Sequence, residues 1–216
     1  MKKTIISLVV IAAVIAGGWY LLSSRKDGSS PVALVNGEVI SRSELDSVYS
    51  QVVEGQGLDS MLLTKEAQAE QRTQALDILI SQVLLRQAVE SSGITVSQEA
   101  VDTQINAVKA QFEDEAAYGA ALVTEGLTEA TFALQVKRDL TVETYLNEKL
   151  GLNAITATDA EIEEGYSQAI EGVEEAPALE EVRDQIREFV IGQKKQALIA
   201  QHVQELRTVA EIEVLI

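Results

Sequence analysis

His202 is the single histidine of a 216-residue chain that has no cysteine. By type it is the side chain best suited to proton transfer near neutral pH or to metal ligation. It stands among Gln201, Gln204 and Glu205, and no cysteine or second histidine exists to complete a metal site of the usual kind. A Ser-His-Asp hydrolase would have to use it, yet the chain contains no Gly-x-Ser-x-Gly elbow. His202 therefore reads as a partly solvated helix residue. Carboxylates recur at Glu113-Asp-Glu115, Glu161-Ile-Glu-Glu164 and Glu171-Gly-Val-Glu-Glu175, the residue type for calcium or for a paired acid and base. A calcium loop legible in sequence alternates its ligands around a glycine turn, and none of these clusters does. They read as solvated helix faces and a polar loop, with Glu161 acting as the cap partner of Thr158. A Ser-Lys pair stays open, with no residue pattern pointing to one. The expectation is no catalytic residue, no metal and no cofactor.

The elements that would position any site begin with a membrane-length segment. After Met1-Lys2-Lys3, the run Ile5 to Leu22 carries no charge, which suits a hydrocarbon core that needs ~20 apolar residues. Residues 1–4 then form the cytoplasmic end, with Trp19 and Tyr20 near an interface. The rival reading is a cleaved signal peptide ending near Val14-Ile15-Ala16. Residues 23–31 are polar and contain Gly and Ser, as a flexible tether does. The folded body is expected over 32–216. The chain has 34 acidic against 17 basic residues and a net charge of −17. Setting aside Lys2, Lys3, Arg25 and Lys26 against Asp27 leaves the body more acidic still, which argues against nucleic acid or an anionic lipid surface as its partner.

Within the body, Val32 to Val35 and Glu38 to Ile40 flank Asn36-Gly37, the dipeptide that most readily adopts a type I′ hairpin turn. Ser41-Arg-Ser-Glu44 is a capping box ahead of Leu45, Val48, Tyr49 and Val52. A long helix from about Thr64 to Ser91 carries Leu76, Leu79, Ile80, Val83 and Leu84 on a stripe too broad for a surface helix, and it ends at Gly93. Ser97 caps a third helix with Val101, Ile105, Val108 and Phe112 on one seam. A short Ala-rich helix over Asp114 to Thr124 follows, and then a long one after Thr128 that stops at Gly151. Thr158 and Glu161 form a second capping box, and Leu179 to Leu206 is the last helix, with Phe189 and Ala197 placed on its apolar stripe. In Val209 to Ile216, Ala210, Ile212, Val214 and Ile216 alternate with Glu211 and Glu213, which predicts a strand with one buried face. Strands at both ends of a helical body are expected to pair with each other, since an isolated hairpin is marginal in water. Phe112, Phe132, Phe189, Tyr118, Tyr145 and Tyr166 read as core, with a binding surface as the alternative for each.

Val32 to Leu45, Leu76 to Ser97 with its following helix, Glu125 to Phe132, and Thr158 to Tyr166 together resemble the SurA N-terminal chaperone domain family, which includes SurA and is similar to PrsA and PpiD. The resemblance implies a mainly α, multi-helix domain with a small antiparallel sheet formed by N- and C-terminal strands. In the family, a parvulin prolyl-isomerase domain usually follows the motif matched by Thr158 to Tyr166. Here residues 167–178 form only a short loop, whereas a domain with its own core needs at least ~50 residues. No isomerase activity is carried over. What the resemblance implies is a membrane-anchored, ATP-independent chaperone of the periplasm or cell exterior. Its partners would be unfolded or partly folded exported polypeptides, bound through apolar helix faces. The alternative is a scaffold of the same fold for one dedicated envelope partner. No individual client-binding residue is assigned from sequence.

Overall fold

The computed structural model describes residues 30–57, 63–172 and 176–216. The expected anchor at Ile5 to Leu22 and most of the tether lie outside the described residues. Among the described residues no helix is long and apolar enough to cross a membrane. The elements are β1 (Pro31–Val35), β2 (Glu38–Ser41), α1 (Arg42–Gly55), α2 (Lys65–Ser92), α3 (Gln98–Lys109), α4 (Glu115–Thr124), α5 (Glu129–Leu150), a 3-10 turn (Leu152–Ala154), α6 (Asp159–Ala169), α7 (Leu179–Val209) and β3 (Ile212–Val214). The protein is thus mainly helical with one small antiparallel sheet in the order β2-β1-β3. The chain divides into two compact units. One runs to Tyr145 and takes back Leu206–Ile216, and the other is Leu146–Glu205.

The first unit is organised by its hairpin. Asn36 and Gly37 have φ of 51° and 83°, the pair of positive angles that a type I′ turn requires and that Asn-Gly accepts at least cost. Ser41 closes the capping box: Glu44 Oε2 accepts from the Ser41 backbone N–H at 2.6 Å, and Ser41 Oγ accepts from the Glu44 N–H at 3.3 Å. The chain therefore leaves β2 and enters α1 without a loop. Ala33, Val35 and Ile40 lie fully buried with Leu45 and Val53 of α1 and Leu79, Ile80 and Val83 of α2. α2 starts at the Thr64 cap and ends at Gly93, whose φ of 70° is the left-handed C-cap.

β3 pairs antiparallel with β1, Val35 opposite Ile212 and Ala33 opposite Val214. Asn36 locks that pairing, because its N–H donates to Glu211 O at 2.8 Å and its Oδ1 accepts from Glu211 N at 2.9 Å. Its side-chain Nδ2 reaches Gln87 Oε1 at 2.8 Å, and Gln87 donates onward to Val35 O and Glu38. Arg86 pairs with the same Glu38. Burial opposes the charge on Glu38, but the Arg86 and Gln87 hydrogen bonds outweigh it and hold its carboxyl below the ordinary range.

The tail departs from the expectation of one buried face. The strand spans only Ile212–Val214, and while Ala210 and Ile212 pack on the core, Val214 and Ile216 are 52% and 57% exposed. An edge strand has a neighbour on one side only, and period-2 alternation does not report how far the covering helices extend.

In the second unit, Thr158 caps α6 in a box with Glu161, which accepts from the Thr158 N–H at 2.7 Å. Gly165 is buried inside α6. A Cβ there would stand 2.8 Å from Val190 Cγ2 and 3.3 Å from Ile186 Cγ2, so the glycine lets α6 approach α7 closely. Tyr166 donates its hydroxyl to Pro177 O at 2.7 Å, fastening α6 to the short connection that leads into α7.

Candidate binding surfaces

Among the described residues, the groups whose types allow chemistry lie apart from one another. His202 is 4% exposed, more deeply buried than the solvated residue expected, and its Nδ1 lies 3.8 Å from Glu205 Oε2. Glu113, Asp114 and Glu115 are exposed, and Asp114 serves as the N-cap of α4, accepting from Ala117 N at 2.7 Å. Glu161 accepts from Lys194 Nζ at 2.7 Å while still capping Thr158. The Lys194 contact first, and then the two Thr158 bonds, lower its pKa to about 2. Lys194 also donates to Thr156 O at 2.8 Å. Of the third acidic cluster, residues 173–175 lie outside the described residues. Among the described residues no group of three His, Asp or Glu side chains is placed to hold a metal ion.

Among the described residues, Asp139 of α5 is the carboxyl pushed strongly upward, to about 6, by burial, with Arg138 pulling it back. Sequence reasoning passed over it because an aspartate beside Arg138 reads as a solvated charge, although Leu140 next to it belongs to the apolar stripe with Phe132 and Val136. The aromatic residues separate clearly. Tyr118 is 2% and Tyr145 6% exposed. Phe112 and Phe132 stack edge-on against Tyr118 with ring centroids 5.6 and 6.1 Å away, and Lys109 Nζ sits 4.9 Å from the Tyr118 ring centre. These are packing aromatics that join α3, α4 and α5. Phe189 is the exception to the core expectation at 51% exposed. The buried line of α7 runs through Ile186 and Val190 against Gly165, and Phe189 is turned about 100° away from Val190 around the helix.

What the molecule offers instead is exposed apolar surface. Val123 on α4 and Leu134 on α5 are 77% and 56% exposed, and the open side of α4 continues through Ala116, Ala117 and Ala120. Around Phe189, the exposed α7 residues Gln193, Gln196, Ala200 and Gln204 carry no charge. At the sheet, Val39, Val214, Leu215 and Ile216 are all exposed. A groove of about 440 Å³ in the first unit is lined by Asn36, Leu84, Ala88, Leu206 and Val209 among others. Exposed apolar side chains of this kind are where another molecule could dock if they form a contiguous patch.

Comparison with known proteins identifies the family of the leading segment and the fold. A family described as SurA-like N-terminal domain matches residues 1–146, a stretch ending beside Tyr145, where the first unit's leading segment also ends. The chaperone SurA of Thiobacillus denitrificans is 30% identical over 146 residues, covering 66% of this chain and 33% of the relative. The matched part thus spans a third of that curated relative's length. A solved chain from the pair PEB4 and Cj1289, described as structurally related SurA-like chaperones of Campylobacter jejuni, superposes with a TM-score of 0.55 at 16% identity, covering 87% of this chain and 99% of that one. This likeness is one of fold.

Proposed function

The chain belongs to the SurA-like N-terminal domain family, and from that premise we propose that it is a non-enzymatic, ATP-independent chaperone held at the outer side of the cytoplasmic membrane by Ile5 to Leu22. Its partners are unfolded or partly folded exported polypeptides. The observation that carries this reading is the set of exposed large apolar side chains on a chain of net charge −17. The apolar areas bind client segments transiently, while the acidic surround keeps the chaperone itself soluble. Val123 and Leu134 with the small residues of α4 form the first candidate contact area. A tether would raise the local concentration of the chaperone where clients emerge.

The test is light scattering as several unrelated denatured proteins are diluted into the chain at stoichiometric amounts, beside an inert acidic protein of similar size. Suppressed aggregation across clients, weakened in a Val123→Asp and Leu134→Asp double variant that keeps its helical circular dichroism, is the expected result. Failure to protect any client by the folded chain would sink the reading. It would favour a scaffold for one dedicated folded partner, for which the single Phe189 on an uncharged Gln and Ala face is the natural contact.

A further inference from the structure

The open edge of β3 is built to receive another strand. Leu215 N donates to Val32 O at 2.9 Å, and Asn36 N donates to Glu211 O at 2.8 Å. With Leu34 opposite Glu213 between them, residues 211, 213 and 215 turn their backbone groups toward β1. In an antiparallel ladder the alternate residues face the other way, so the N–H and C=O of Ile212 and Val214 point out from the sheet. Among the described residues no fourth strand covers them, since the sheet order ends at β3. Natural edges are commonly blunted by shortness, charged side chains, Pro or a bulge, and β3 is short, with Glu213 as its charge. This one carries neither Lys nor Pro, and its apolar Val214, Leu215 and Ile216 are exposed.

We propose that this edge binds an extended polypeptide segment in which apolar residues alternate with Lys or Arg. The charge pattern selects that occupant. Glu211 and Glu213 are two apart, are exposed, and have no cationic partner among the described residues. They lie on one face of the strand, while Ile212 and Val214 lie on the other. An incoming strand therefore sets its basic residues beside the glutamates and its apolar residues beside Ile212 and Val214. A second copy of this chain is a poor occupant, because edge-to-edge pairing of two β3 strands brings Glu211 and Glu213 against their own kind. Main-chain pairing supplies affinity that does not depend on client sequence, and the glutamates bias it toward basic amphipathic strands. For the source of the strand, an unfolded client, the inference rests on the chaperone reading.

The probe is a fluorescently labelled peptide of about nine residues alternating Lys with Val, titrated into the full chain and followed by anisotropy. Glu213→Lys is expected to weaken binding about fivefold and to bind a Glu-Val peptide better than the native chain does. Val214→Pro removes one outward N–H without touching the β1 ladder and should weaken binding roughly three- to tenfold. Glu213→Lys changes an exposed side chain only and keeps the test open should the proline variant fail to fold. Binding by both variants within about twofold of native, or equal native binding of the Glu-Val and Lys-Val peptides, overturns the proposal. Client protection is measured on the same samples. Protection by the native chain together with peptide binding unchanged in both variants would discard the edge and leave the chaperone reading standing. Peptide binding lost in the variants, with no client ever protected, would do the reverse.

Discussion

The unit that holds the sheet buries a continuous apolar cluster, Val32 to Ile40 against Leu45 to Val53 and Ala75 to Leu84. The unit spanning Leu146–Glu205 buries few side chains, among them Leu152, Ile162 and Val190. Its helices are joined by a glycine that admits a close approach and by polar ties: Lys194 to Glu161 and Thr156, Arg183 to Asp159, and Tyr166 to Pro177. The same sequence resources thus make one part whose stability scales with buried area and another that depends on a few contacts at particular atoms. The second kind is sensitive to single substitutions that composition would call conservative.

Five experiments break or sharpen that contrast. The largest effect is expected from Leu79→Ala, since Leu79 is 1% exposed at the centre of the first cluster. It should cost about 2–5 kcal/mol in denaturant unfolding, with hydrogen-exchange protection lost together across β1, β2, α1 and α2. An effect below about 1 kcal/mol would mean the cluster is not the organising core. Next is Gly165→Ala. Its methyl meets a stiff, buried Val190, and overpacking of about 1–3 kcal/mol is opposed by up to ~1 kcal/mol of helix propensity. A net loss is expected, and Val190→Ala in the same chain should recover part of it. Additive losses in the double variant would show that the two sites do not meet.

The two units also carry carboxylates with opposite pH behaviour. Asp139 has a folded pKa raised to about 6 from 3.8. The folded state then binds more protons between those values, and the stability of the first unit falls as pH rises from about 4 to 6. Asp139→Asn should flatten that slope and raise stability near pH 7 by about 1 kcal/mol. Glu161 has a folded pKa lowered to about 2 from 4.5, so its contribution is complete above about 4.5 and is lost as pH falls toward 2. Lys194→Met should remove most of that acid dependence, read as hydrogen exchange across α6 and α7 between pH 2.5 and 5. Equal acid sensitivity with and without Lys194 would refute the tie. The smallest effect on stability is expected at Phe189. Phe189→Ser should leave the melting transition within about 0.5 kcal/mol of native, and a larger loss would place its ring in the core after all.

Much of the local architecture was legible. Asn36-Gly37 gave the hairpin, Ser41 with Glu44 and Thr158 with Glu161 gave two helix starts, Ser97 a third, and Gly93 and Gly151 two stops. The pairing of the two chain ends also followed, because alternation in the tail and a lone hairpin at the front each lack a partner. The helix stripe of α2 named core residues correctly, since a buried face repeats every three or four residues whatever it packs against. The same reasoning misplaced Phe189, which points about 100° from Val190, and Ala197, which lies in line with Ile186 and Val190 yet is exposed, because the period of a helix face does not report how far along the helix that face is covered.

By itself the sequence determined the features set by neighbours within four residues: turn angles, caps, stops, and the period of each apolar face. Their physics is short-range and reads directly from residue order. Only the tertiary structure decided that Asn36 would meet Glu211, that Gln87 would hold the hairpin, that Gly165 would lie against Val190, and that Lys194 would reach Glu161. It also decided that the edge of β3 would stay open while Ile212 was covered. Those contacts join residues far apart in the chain, and their geometry is fixed by how helices rotate and approach when the whole molecule packs.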